Sequence, residues 1–126
     1  MGISNTSVQE LSSKKYSTTR VLNAGTEDVS YPGVGFQPSA IIAFAGDATV
    51  FGSVGFCDKT RAPCCLFLTL STPALGVANV LLKLDNTGSG QEASVKSFDA
   101  DGFTITWTKI GAGIGLTADI RFFCLK

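Results

Sequence analysis

The chain has 126 residues, of which 44% are hydrophobic and 16% charged, with 10 basic and 10 acidic side chains and a net charge of zero. That is one domain's length, and the lack of a basic surplus argues against a nucleic-acid groove or a polybasic membrane surface. There is no histidine, so mechanisms that need an imidazole base or an imidazole metal ligand are excluded and no enzyme is expected. A neutral chain with mean hydropathy +0.28 fits a subunit that buries surface against copies of itself or other proteins.

In chain order, the first 16 residues are polar and Ser-rich and read as an extended N-terminal arm or a leading strand that needs a partner to become ordered. They contain no apolar h-region, so no secretory signal is expected; Met1-Gly2 with Thr6 matches a myristoylation motif only loosely. Residues 17–126 read as a single domain of short β-type runs. Thr18 to Asn23 and Glu27 to Tyr31 end at Ala24-Gly25 and Pro32-Gly33. Ala40 to Ala45 is continuously apolar and predicts a strand covered on both faces. From Thr49 to Phe56, Val50, Gly52, Val54 and Phe56 alternate with Phe51, Ser53 and Gly55.

Cys64 to Leu70 predicts a further strand, and Val77 to Leu84 a strand or a short helix. The uncharged stretch from Ala62 to Leu82 nearly reaches a membrane-spanning length, but Ser71-Thr72-Pro73 interrupts it and two short buried elements fit better. Residues 85 to 90 read as a surface loop. Ala93 to Phe98, the tight turn Asp99-Ala100-Asp101-Gly102 and Phe103 to Lys109 form a hairpin. Its second strand alternates Phe103, Ile105, Trp107 against Thr104, Thr106, Thr108. Thr117 to Leu125 closes the domain, with Leu116, Ala118, Ile120, Phe122 and Cys124 on one side. About eight short strands with turns every 8 to 12 residues predict an all-β, antiparallel, jelly-roll-like sandwich.

The candidate chemical motifs weigh toward structure. Cys57, Cys64, Cys65 and Cys124 lack paired CxxC spacing, so no metal or other cofactor is expected and the thiols read mainly as small buried apolar groups. Asp99-Ala-Asp101-Gly102 resembles the start of a calcium loop. The twelfth position is Ile110, however, so the aspartates read as caps of a turn in which Gly102 takes positive φ. Gly33-Val-Gly35 and Gly111-Ala-Gly113-Ile-Gly115 are flanked by β-type sequence and read as turns rather than phosphate loops. Trp107 reads as core rather than as a sugar-stacking platform.

Gly35-Phe36-Gln37-Pro38-Ser39-Ala40-Ile41-Ile42, Gly52-Ser53-Val54-Gly55-Phe56 and Ala93 to Trp107 occur in this order. They resemble the GFxP, S-x-GF and SFDADGFTxTW segments of tailed-bacteriophage and prophage virion proteins, and the ending Ile120 to Lys126 resembles their terminal strand. The likeness runs over about residues 35 to 126; Cys64-Cys65 and the stretch to Leu82 depart from it. It implies a β-sandwich structural component of a virion with no catalytic residues to carry over. The expectation is a capsid decoration or cement-type subunit, or a tail component. It would be a homo-oligomer, a trimer, and contact other virion proteins such as the major capsid or tail protein. Val8, Leu11 and Tyr16 of the arm are the candidate anchors. The alternative is a receptor-binding or lectin-like module of a tail fibre or tip, using loops around Asp47, Asp58-Lys59-Thr60-Arg61 and Asn86.

Overall fold

Phe103, Ile105 and Trp107 are fully buried while the alternating Thr104, Thr106 and Thr108 are half-buried, so this strand has one dry and one wet face. Around it a computed structural model builds ten antiparallel strands; it describes residues 12–47, 51–69, 74–86 and 88–126. They are β1 (Ser13–Val21), β2 (Glu27–Pro32), β3 (Ala40–Gly46), β4 (Phe51–Asp58), β5 (Cys64–Thr69), β6 (Ala74–Ala78), β7 (Leu82–Asn86), β8 (Ser89–Asp99), β9 (Gly102–Ile110) and β10 (Thr117–Leu125). One sheet has the order β1-β10-β3-β4-β5-β6 and the other β2-β9-β8-β7. The chain is therefore an all-β sandwich of two antiparallel sheets. The first two strands pair with the last two, β1 with β10 and β2 with β9, the nesting found in a jelly roll; the middle of the chain forms two meanders, β3 to β6 and β7 to β9.

The strand count exceeds the eight read from sequence. The run from Val77 to Leu84 breaks near residues 79–81 and supplies two strands, one to each sheet. Residues 85–90 are not a surface loop: β7 and β8 meet in a tight hairpin, Asp85 is buried, and its Oδ1 accepts the amide of Gly88 at 2.8 Å. The first strand starts at Ser13, so residues 13–16 form part of a leading strand in the sheet. Residues 62–69 and 74–82 of the long uncharged stretch are β5, β6, their connections and the first residue of β7, and Ser71-Thr72-Pro73 lies outside the described residues. Among the described residues no helix is long and apolar enough to cross a membrane.

Five rings tie the sheets together. Tyr31 and Phe103 stack at 5.1 Å, Phe122 meets Phe103 edge-on at 4.9 Å, and Tyr16 meets Tyr31 edge-on at 5.5 Å. The Trp107 Nε1–H donates to the Tyr31 hydroxyl at 2.9 Å, which satisfies both polar tips inside the core. Beside them Arg20, only 8% exposed, lies over the Trp107 ring at 5.1 Å. Its guanidinium donates to the Gln91 Oε1 and to the Gly25 carbonyl, while the Gln91 amide donates to the Ala24 carbonyl at 2.7 Å. This network fastens the β1–β2 connection to β8.

The turn Asp99–Gly102 is fixed differently from the sequence expectation. Gly102 is not in the positive-φ region. Its requirement is space: a Cβ there would lie 2.1 Å from the Tyr31 carbonyl oxygen on the paired strand. Gly102→Ala should therefore destabilise the fold by about 3 kcal/mol, whereas Gly25→Ala, with open space around the position, should stay within about 0.5 kcal/mol. Urea denaturation of the two variants checks the contrast.

Candidate functional site: the outer face of the six-stranded sheet

Alternation along β4 separates Ser53, Gly55 and Cys57 from Val54 and Phe56, and the small set points inward; Val50 lies outside the described residues. The cause is the crossover from β6 to β7. A Cβ on Gly55 would stand 1.6 Å from the Leu81 carbonyl oxygen, and the Ser53 Oγ accepts the Lys83 amide at 3.1 Å. No large side chain fits beneath β4, so its bulk is on the outside.

The neighbouring strands continue the outward set in register. Phe44, Val54, Leu66 and Val77 are successive cross-strand partners and form a row across β3 to β6. Phe123, Ile42, Phe56 and Cys64 form a second row on one side of it. Gly46, Gly52, Leu68 and Leu75 form a third on the other, where the two glycines leave a depression. The central row is thus a ridge between two grooves, of about 510 and 430 Å³. The first groove ends at Asp119 and Arg121 of β10, which bring both signs of charge to the rim. Beyond β10 the face turns polar with Lys15, Ser17 and Thr19 of β1.

Nine large hydrophobic side chains are strongly exposed among the described residues, and all nine lie on this sheet; Leu75 is 65% and Val77 75% exposed. Phe44, on the strand expected to be covered on both faces, is 46% exposed, so the described residues leave the outer face of β3 open there. The edge strand β6, Ala-Leu-Gly-Val-Ala, carries no charge, while the opposite edge β1 carries Lys14, Lys15 and Arg20.

The other sheet is wet on its outer face. Ser30 and Thr104 share a hydrogen bond at 3.0 Å, Thr106 donates to Asp28 at 2.7 Å, and Lys83 pairs with Glu92 at 2.7 Å. Lys96, the residue left over at a bulge in β8, pairs with Asp28.

Of the residues singled out from sequence, Val8 and Leu11 lie outside the described residues. Tyr16 is in β1 opposite Phe122, partly buried, with its ring packed against the core at Tyr31 and Phe103, so it is a packing residue of the sandwich. Asp101 uses both carboxylate oxygens to accept the amides of Gly33 and Gly35, at 3.2 and 2.7 Å, and sews the hairpin turn to the β2–β3 connection. Asp99 accepts Ser97 and Thr104 hydroxyls at 2.7 and 2.8 Å. Asp58 accepts the Thr60 amide at 2.9 Å, and Arg61, at φ 56°, donates to the Lys96 carbonyl. Gln37, Lys59, Arg61 and Ser97 border an open polar depression there. Asn86 falls in β7. Among the described residues no three His, Cys, Asp or Glu side chains gather as a metal site. The outward apolar rows were the feature sequence reasoning missed; their signal was the glycine and serine of β4 alternating with Val54 and Phe56.

Comparison with protein-family models, with curated proteins and with solved structures finds no match to this chain.

Two measurements follow from the local chemistry. Cys57, Cys65 and Cys124 are buried and burial pushes each thiol up, Cys124 to about 11, while Cys64 is exposed. Mass spectrometry of dilute native protein treated with maleimide should find Cys64 modified and the other three untouched until the protein unfolds. The Lys96 and Thr106 hydrogen bonds hold the Asp28 carboxyl below its ordinary 3.8. That contact stabilises the fold above the ordinary value and is lost as pH falls through the lower folded one. The melting-temperature gap between wild type and Asp28→Asn should therefore be present at about pH 7 and vanish by about pH 2.

Proposed function

We propose that this protein is a structural subunit of a tailed-bacteriophage particle, of the capsid decoration or cement kind or a minor tail component, that works by packing rather than by chemistry. The observation that carries the reading is the asymmetry of the sandwich: one outer face is polar and hydrogen-bonded, while the other carries three adjacent rows without a charged side chain across β3 to β6, with Asp58 at the end of β4. A contiguous apolar surface of that extent is the mark of a protein that works against other proteins. The order of the GFxP, S-x-GF and SFDADGFTxTW segments supports the phage setting. The subunit would reach its neighbours through the apolar face and through the N-terminal residues Val8 and Leu11, as an added strand or a wrapping arm. Many copies would hold the particle through multivalency.

A receptor-binding or lectin-like role in a tail tip is the second reading, favoured by the polar depression at Lys59 and Arg61. The experiment is to purify particles from a lysate that produces this chain and to identify their proteins by mass spectrometry. The expected result is this chain in the particles at high copy number, and loss of incorporation by the folded double variant Val8→Asp, Leu11→Asp. Its absence from purified particles would sink the structural reading. A saccharide bound in a glycan array and released by Arg61→Ala would establish the second.

A further inference from the structure

We infer that the apolar outer face of β3 to β6 is buried against the same face of a second copy of this chain, giving a two-fold, face-to-face dimer. This deepens the subunit reading above and rests on it for its biological setting; it names the surface and the partner.

Three observations carry it. The first is area. The exposed fractions of the eight apolar side chains on β3 to β6 and β10 amount to on the order of 600 Å². That is the upper end for the largest patch on a monomer, and near the ~800 Å² each partner gives a standard interface. The second is shape. The Phe44–Val54–Leu66–Val77 ridge runs between two grooves. A twisted sheet laid on its own copy at the usual spacing sets the ridge of each into a groove of the other.

The third is charge. The rows hold no charged side chain, and the rim supplies Asp119 and Arg121 together, so like charges need not oppose one another. A net charge of zero removes long-range repulsion between copies. The same facts favour two copies over the trimer expected from sequence. A ring of three needs two different patches on each subunit, whereas an isologous pair uses one patch twice. All the strongly exposed large hydrophobics described here lie on one sheet.

The test is the mass of the full chain by light scattering coupled to size exclusion over a range of concentrations. Alongside wild type run Val54→Asp and Leu66→Asp at the centre of the ridge, Val77→Lys at its exposed end, and Ser30→Lys on the polar sheet as a control. Near-ultraviolet circular dichroism of the buried Trp107 reports whether each variant is folded, and only folded ones are read. The expected result is twice 13.1 kDa for wild type and Ser30→Lys, and the single-chain mass for the folded ridge variants. A wild-type monomer at every concentration, a trimeric mass, or folded ridge variants that still pair would each overturn the inference. A monomer that nevertheless enters particles overturns this interface and leaves the subunit reading standing. A dimer broken by Val54→Asp in a protein never found in particles sustains the interface and overturns that reading.

Discussion

The close approach of Leu81 to Gly55 is the constraint from which the rest of the molecule follows. The chain must leave the six-stranded sheet after β6 and begin the four-stranded one at β7, and it does so directly beneath β4. The backbone carbonyl of Leu81 occupies the space a side chain on Gly55 would need. Leu81, Leu82 and Leu84 then fill this end of the core themselves, fully buried. The inner face of β4 is left to Ser53, Gly55 and Cys57, and apolar bulk on that strand has one direction remaining.

At the other end the sandwich is closed by rings rather than by a crossover. Tyr16 and Phe122 come from one sheet and Tyr31, Phe103 and Trp107 from the other, so their contacts hold the sheets in one relation. The polar atoms brought inside are partnered: Trp107 with Tyr31, Arg20 with Gln91. None of the described buried side-chain polar atoms is left without a hydrogen bond. Asp101 does for the loops what the rings do for the sheets, holding Gly33 and Gly35 from a turn that follows them by more than sixty residues. The scaffold is over-determined where it is polar, and this leaves the opposite face free to be apolar without cost to the chain's own packing.

The two outer faces divide the work proposed for the molecule. Threonine, serine and paired charges cover the four-stranded sheet and keep it compatible with water. Among the described residues the six-stranded sheet has its polar edge at β1 and an uncharged edge at β6, so the apolar rows run up to an edge strand without charge. The exposed rows are the surface on which the proposed packing role rests.

Much of the fold was legible in the sequence because it depends on local periodicity. Strict alternation in residues 103–108 and the inward set Ala118, Ile120, Phe122 and Cys124 follow from a side-chain period of two, the Asp-Ala-Asp-Gly turn follows from its own turn residues, and all are seen. The absence of histidine and the balance of charge were equally plain. Other features depended on contacts between residues distant in sequence. Alternation along β4 separates Val54 and Phe56 from Ser53 and Gly55 but does not say which pair faces the core; the carbonyl of Leu81, twenty-six residues on, decides it. The same holds for the break that turns one apolar run into β6 and β7, for the burial of Asp85 in a hairpin, and for Gly102, chosen for the nearness of Tyr31 rather than for its φ. Sequence determined that this chain would form strands with one dry face each. Tertiary structure alone decided that one sheet turns much of its apolar side outward, because only the packed molecule reveals where the space beneath a strand is already taken.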